Sequence, residues 1–248
     1  MSDSDDDSLL LERRGPVGWL RFNRPATGNA MDARMMDRLP AAWAGFEHDD
    51  AVTAVVVTGT GDAFQTGLDV RQLSGDPKAL RAMARRTRRA DLRLTGWHLG
   101  VTKPIVTAVN GVCAGGGLHF VADCDIALAS ADATFLDPHV TVGQVSAFES
   151  IGLARRGAFG AVARMAFTGA HERVAAQDAR RLGWVSEVVA PDRLAQRAQE
   201  LAEAAGRHPD SAARRKRALW LALETGLSAA RATASPADRP VAREAGSP

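Results

Sequence analysis

The stretch that most constrains this chain is residues 105–125, IVTAVNGVCAGGGLHFVADCD. Its first five residues are an apolar, largely β-branched run that predicts a buried strand, and the run breaks at the turn pair Asn110-Gly111. Gly115, Gly116 and Gly117 follow and lead directly into Leu118, His119, Phe120, Val121 and Ala122, which read as a short, mostly apolar helix. Three glycines opening a helix leave backbone N–H groups uncovered by side chains at the positive end of the helix dipole, a place suited to an oxyanion. A dinucleotide fingerprint needs G-x-G-x-x-G and a phosphate loop needs G-x-x-x-x-G-K-[ST]; neither spacing is present here. Taken alone, the same glycines could serve only to pack a helix close against a strand.

A second stretch changes the weighing. The apolar run Ala54, Val55, Val56, Val57, Thr58 predicts another strand, and Gly59-Thr60-Gly61-Asp62-Ala63-Phe64-Gln65-Thr66-Gly67-Leu68-Asp69-Val70 follows it. With G-L-D here and G-G-G after the later strand, the chain resembles the crotonase superfamily, the enoyl-CoA hydratase/isomerase family, over roughly residues 9 to 226. The resemblance implies an α/β protein of the ClpP/crotonase-like fold, with repeated ββα units and a helical C-terminal portion. It implies an acyl-CoA thioester as substrate, with no cofactor beyond the coenzyme A that the substrate carries. The Leu68 and Gly116 amides would each donate to the thioester oxygen, with Thr66, Gly67 and Asp69 around the first donor and Gly115 beside the second. The loop of residues 26–31 would lie along the CoA moiety through Ala26, Asn29 and Ala30, although a turn leading into a helix explains the same residues. Lys216, with Arg214 and Arg215, is the candidate for the CoA phosphates. By analogy the chain is expected to form a homotrimer or a dimer of trimers.

The family's hydratases place one glutamate on the helix after G-G-G and another in a P-E segment. Here those positions hold His119 and His139, 20 residues apart, which fits an ungapped match. Imidazole, with an unperturbed pKa near ~6.5, can act as acid or base at neutral pH. His119 lies within a turn of a helix N-terminus and is expected to be neutral, a base or hydrogen-bond donor. Hydration by two histidines is one reading. Carbon–carbon bond hydrolysis of a β-diketone or β-keto thioester is a second, with Glu149 or Asp137 orienting His139. A non-catalytic acyl-CoA-binding homologue is the third. His48, His98, His171 and His208 carry no motif and read as surface or structural residues.

A net charge of +2 predicts no general affinity for nucleic acid, and 46% hydrophobic with 24% charged residues is ordinary for a soluble globular chain. Cys113 and Cys124 have no zinc-like spacing, and no metal pattern emerges from Cys113, His119, Cys124 and His139. No apolar run reaches the ~18 residues of a membrane span, and the start is acidic where a signal peptide is basic, so a cytoplasmic protein is expected. Residues 1–8 are expected to be an acidic disordered tail, 9–190 the core domain, 191–228 a C-terminal helical portion, and the proline-containing 229–248 a disordered tail. Within the core, residues 9–12 and 17–22 predict a hairpin. Met31, Met35, Leu39, Trp43 and Phe46 predict a helix with its stripe on the core. Residues 80–97 predict a basic helix, facing either solvent or the CoA phosphates.

Overall fold

A computed structural model describes residues 7–69, 93–145, 148–226, 228, 229 and 231. Strands β1 (Leu9–Arg14) and β2 (Val17–Phe22) form the expected antiparallel hairpin. Strands β3 (Ala54–Gly59), β5 (Ile105–Val109), β7 (Ile126–Ser130) and β10 (Glu187–Val189) continue from β2 in parallel, giving a six-stranded sheet ordered β1-β2-β3-β5-β7-β10. A second sheet is ordered β4 (Ala63–Gln65), β6 (Val112–Ala114), β8 (Thr134–Leu136) and β9 (Val174–Ala175). Each of β3, β5 and β7 is thus followed after a few residues by a short strand of the other sheet. This is the repeated strand–strand unit that the resemblance implies.

Parallel strands covered on both faces read as continuous apolar runs, and every residue of β3 is buried. Alternate side chains divide the core in two. Leu20, Phe22, Val55, Val57 and Val109 join Met35, Leu39 and Trp43 of helix α1 (Ala33–His48). Val17, Trp19, Ala54, Val56, Val106 and Leu128 pack against Leu194, Ala198 and Ala202 of a helix at Leu194–Gly206. The C-terminal helical portion therefore completes the core of residues 9–190 rather than standing apart from it.

Helix α1 begins two residues later than its apolar stripe, because the Asp32 side chain caps it by accepting from Met35 N at 2.8 Å. Met31 instead pairs with Leu68 in an isolated parallel bridge, which ties the start of α1 to the G-L-D segment. The corner between the sheets is held by Asn110, whose side chain accepts from Gly59 N at 2.9 Å and donates to Gly61 O at 2.8 Å and Ala63 O at 3.1 Å. By this clamp the two glycine-rich turns leave the large sheet side by side.

Two expectations change, and a third falls almost wholly outside the described residues. Asp7 and Ser8 belong to the folded unit, since Asn23 donates to both carbonyls at 2.8 Å; residues 1–6 lie outside the described residues. Of the basic helix expected at 80–97, residues 80–92 also lie outside. Its last part is not helical: Val101 N and Leu99 N both bond back to Gly96 O, so the chain turns there. The expected tail at 229–248 is described only at residues 229 and 231.

Candidate active site

The site begins with two peptide groups. The Gly67 carbonyl accepts from Met31 N at 2.7 Å and from the buried Gln65 side chain, through Nε2, at 3.0 Å. A trans peptide points its N–H opposite its C=O, so these two bonds aim the Leu68 N–H away from Met31 and Gln65. The Gln65 Oε1 closes the clamp by accepting from Gly67 N at 2.9 Å, with Gly67 at φ 96°, a conformation natural to glycine. The Gly115 carbonyl, in turn, accepts from Leu118 N at 2.9 Å, so the Gly116 N–H points back off the start of helix α2 (Gly117–Ala122). Gly116 N lies 3.3 Å from the point where a Cβ on Gly67 would sit, and the two turns are in contact. Among the described residues, neither the Leu68 nor the Gly116 amide has an acceptor within the protein. Polar groups at a packed turn are normally paired, so two adjacent oriented donors without acceptors form a place for an external oxygen.

His139 stands over the second turn, its Cε1 3.3 Å from where a side chain on Gly115 would begin. Its Nδ1 is 2.6 Å from Asp137 Oδ1, and Asp137 Oδ2 accepts from Ser150 at 3.0 Å, so the ring is held in one orientation. Burial pulls the His139 pKa down. The Asp137 hydrogen bond and the charges of Glu149 and Asp137 outweigh that and leave it raised. His119, 4% exposed, follows Gly116 by one turn, with Nε2 3.2 Å from Glu149 Oε1. The two carboxylates are therefore divided between the rings. Asp137 orients His139, whereas Glu149, expected as a partner of His139, is bonded to His119 and reaches His139 only through its charge.

Beyond His119 lie groups that motif reading did not single out. Its Nδ1 is 3.9 Å from Asp123 Oδ2, and His98 Nδ1 is 3.6 Å from the same oxygen. Burial, and the charge of His119, lower the His98 pKa to about 4, while burial raises that of Asp123. These residues open onto a cavity of about 260 Å³ whose walls include Trp97, Phe148, Ile151 and Trp220. Only the i, i+4 spacing of His119 and Asp123 was available in the sequence to hint at this group. Cys113 and Cys124 are buried, and burial raises both thiols, so neither is poised as a nucleophile.

The remaining predicted residues fall into two groups. Thr66, Gly67 and Asp69 flank Leu68 along the chain, Gly67 lies against Gly115 and Gly116, and Thr66 donates to Gly28 O at 3.0 Å. Asp69 is buried and holds Arg24 at 2.9 Å, which pins the loop of residues 24–32 beside the site. Within that loop Ala26 is exposed, Ala30 is buried with its carbonyl taken by Arg24 at 2.6 Å, and Asn29 is wholly buried. The Asn29 side chain serves Thr60 O, Ala63 O and Arg24 N, so it works as an internal brace rather than as a side-chain contact for a ligand. Lys216 is likewise engaged internally. Its side chain is 9% exposed and places the ammonium 3.0 Å from Asp125 and 2.9 Å from Lys103 O, joining helix α7 (Pro209–Glu224) to the start of β5. A partly buried ammonium paired inside the protein is not presented to a phosphate, which corrects the expectation for this residue.

Comparison with known proteins finds similar chains and similar structures. The family model described as enoyl-CoA hydratase/isomerase matches residues 12–243, reaching past the residue 226 at which the motif resemblance ends. The mitochondrial enoyl-CoA hydratase of Pongo abelii is 32% identical over 208 residues, 82% of this chain and 69% of that protein. The (E)-benzylidenesuccinyl-CoA hydratase of Thauera aromatica is 32% identical over 197 residues, 79% of this chain and 75% of that one. Among solved structures, an enoyl-CoA hydratase/isomerase from Mycobacterium paratuberculosis superposes with a TM-score of 0.80 at 35% identity, covering 94% of this chain and 88% of that chain.

Proposed function

The chain belongs to the enoyl-CoA hydratase/isomerase family, and from that membership we propose that it hydrates an enoyl-CoA thioester with two imidazoles in place of two carboxylates. The observation that carries this reading is the pair of acceptor-free amides at Leu68 and Gly116, aimed outward by carbonyls that are themselves bonded inside the protein. Such donors stabilise charge that develops on a carbonyl oxygen and need no reorganisation as it develops. In the proposed reaction His119, its Nε2–H directed at Glu149, takes a proton from water at Nδ1 as the water oxygen bonds to Cβ. The electron pair of the Cα–Cβ double bond moves toward the thioester oxygen, where the two amides hold the enolate. His139, kept protonated toward higher pH by Asp137 and Glu149, delivers a proton to Cα, and the thioester is restored one water heavier.

Incubation with crotonyl-CoA tests this directly. Mass spectrometry is expected to find a product heavier by one water; an unchanged substrate mass at saturating concentration refutes hydration of this substrate class. One observation favours a second reading. The short His139–Asp137 contact is the kind of dyad that activates water, and an oxyanion hole also serves the tetrahedral intermediate of carbon–carbon cleavage. Cleavage of a β-diketone or β-keto thioester, with crotonyl-CoA untouched, would select it. Assembly as trimers or dimers of trimers, which the resemblance implies, is supported by the exposed apolar side chains Val142, Val145, Phe159 and Phe167.

A further inference from the structure

We propose that His98, His119 and Asp123 form a binding site for one divalent transition-metal ion, zinc by its donor set, and that occupancy switches off His119. The second half rests on His119 acting as the base; the first does not. His98 Nδ1 lies 3.3 Å from Thr95 N and can accept from it, which leaves it the bare nitrogen in the tautomer with the hydrogen on Nε2, the form a metal ligand requires. In a neutral His119 the Glu149 carboxylate at 3.2 Å calls for the N–H on Nε2, leaving Nδ1 bare as well. The third atom, Asp123 Oδ2, lies 3.6 Å from the first and 3.9 Å from the second. All three ligand atoms fall within 4.8 Å of one another.

In that tautomer of His98 a single hydroxyl hydrogen is available to this group. Thr95 Oγ1 is 2.7 Å from His98 Nδ1 and 2.9 Å from Asp123 Oδ2, and it can donate to only one of them. Two imidazole nitrogens and a carboxylate oxygen thus converge, largely shielded from bulk water, with the Arg156 charge acting on Asp123 from the wall of the same cavity. The group has the features of a zinc site rather than of an ordinary polar cluster. Imidazole and carboxylate are zinc ligands, and bonds of about 2.0–2.1 Å in a tetrahedral site hold ligand atoms roughly 3.4 Å apart. The 3.6 and 3.9 Å separations approach that value, and the two imidazole nitrogens, within 4.8 Å of one another, must also draw together around an ion. Glu149 on the far nitrogen of His119 is the outer carboxylate that commonly orients a metal-bound histidine. The adjoining cavity gives water access to a fourth position. Because Nε2–H is committed to Glu149, a metal on Nδ1 removes the one nitrogen through which His119 could accept a proton.

The alternative is an ion-free cluster in which the Thr95 hydroxyl and the charge of Arg156 serve Asp123. Equilibrium dialysis of the full chain against zinc, followed by elemental analysis, separates the two. The wild type is expected to retain one zinc per chain, His98→Gln and Asp123→Asn to bind at least about 100-fold more weakly, and His139→Gln to bind as the wild type does. Cobalt in place of zinc should give the visible absorption of a low-coordinate nitrogen–oxygen site in the wild type and lose it in Asp123→Asn, a variant of the same shape. Retention of no zinc by the wild type, or equal retention by both ligand variants, overturns the proposal. Circular dichroism melts identify a variant that has failed to fold, and the cobalt spectrum of the wild type still decides the matter. Zinc should inhibit turnover of crotonyl-CoA reversibly, with EDTA restoring it. Stoichiometric binding without inhibition would retain the site and reject the switch. A chain that turns over no enoyl-CoA would contradict the proposed function while leaving the metal stoichiometry readable.

Discussion

Replacing Gly117 by alanine will lower both stability and turnover. A Cβ at this position would stand 2.2 Å from the carbonyl oxygen of Gln65 and 2.8 Å from its Oε1, far inside van der Waals contact. The obstructing atoms are main chain and a fully buried side chain, so the helix start and the β4 turn must separate. Overpacking of this kind costs roughly 1–3 kcal/mol, or a drop in Tm of about 2–12 °C for a chain of this size. The loss of function exceeds the loss of stability, because Gln65 is also the clamp that aims the Leu68 N–H. Removing one donor from an oxyanion hole typically lowers kcat by about 10²–10³. Thermal denaturation and crotonyl-CoA kinetics on the same preparation check both halves. A variant with wild-type kcat would show that the two turns need not touch.

Removing His139 acts on the other half of the site. His139→Ala is expected to reduce kcat by about 10²–10⁴, or roughly 2.7–5.4 kcal/mol of activation free energy, with the fold retained because the ring is partly exposed. Asp137→Asn gives the more specific signature. Since His139 has a raised pKa and serves as the acid, activity falls as pH rises through that pKa. Deleting the Asp137 charge, and weakening its hydrogen bond, removes part of what raises it. The alkaline limb of the kcat profile should therefore move to lower pH. An alkaline limb that stays in place, or moves up, would take the acid role away from His139.

How much of this was legible in the chain can be judged residue by residue. The two glycine-rich turns were readable because strand, turn and helix signals are local, and their order along the chain set which turns would meet. What aims the donors was not readable. The Gln65 clamp depends on a side chain folding back onto its own turn, and nothing in G-D-A-F-Q-T-G marks the glutamine as inward-facing. The histidine partners were half visible. Asp137 lies two residues before His139, whereas Glu149 turns to His119 because helix α3 (Phe148–Arg156) packs across α2, a tertiary fact. Lys216 illustrates the opposite error. A cationic helix face suggested a phosphate contact, but the carboxylate that claims the ammonium, Asp125, lies 91 residues earlier and becomes its neighbour only when α7 reaches β5. His98 was passed over for the same reason, since Asp123 and His119 become its neighbours only through the fold.

The central claim is that one carbonyl oxygen is held by two main-chain donors from different turns. A crystal structure of the protein with a non-reactive acyl-CoA thioester bound measures this directly. The account predicts the thioester oxygen within about 2.7–3.1 Å of both the Leu68 and Gly116 nitrogens, with the imidazoles of His119 and His139 facing the acyl carbons. A thioester seated elsewhere, or bound with its oxygen turned away from either nitrogen, would contradict it.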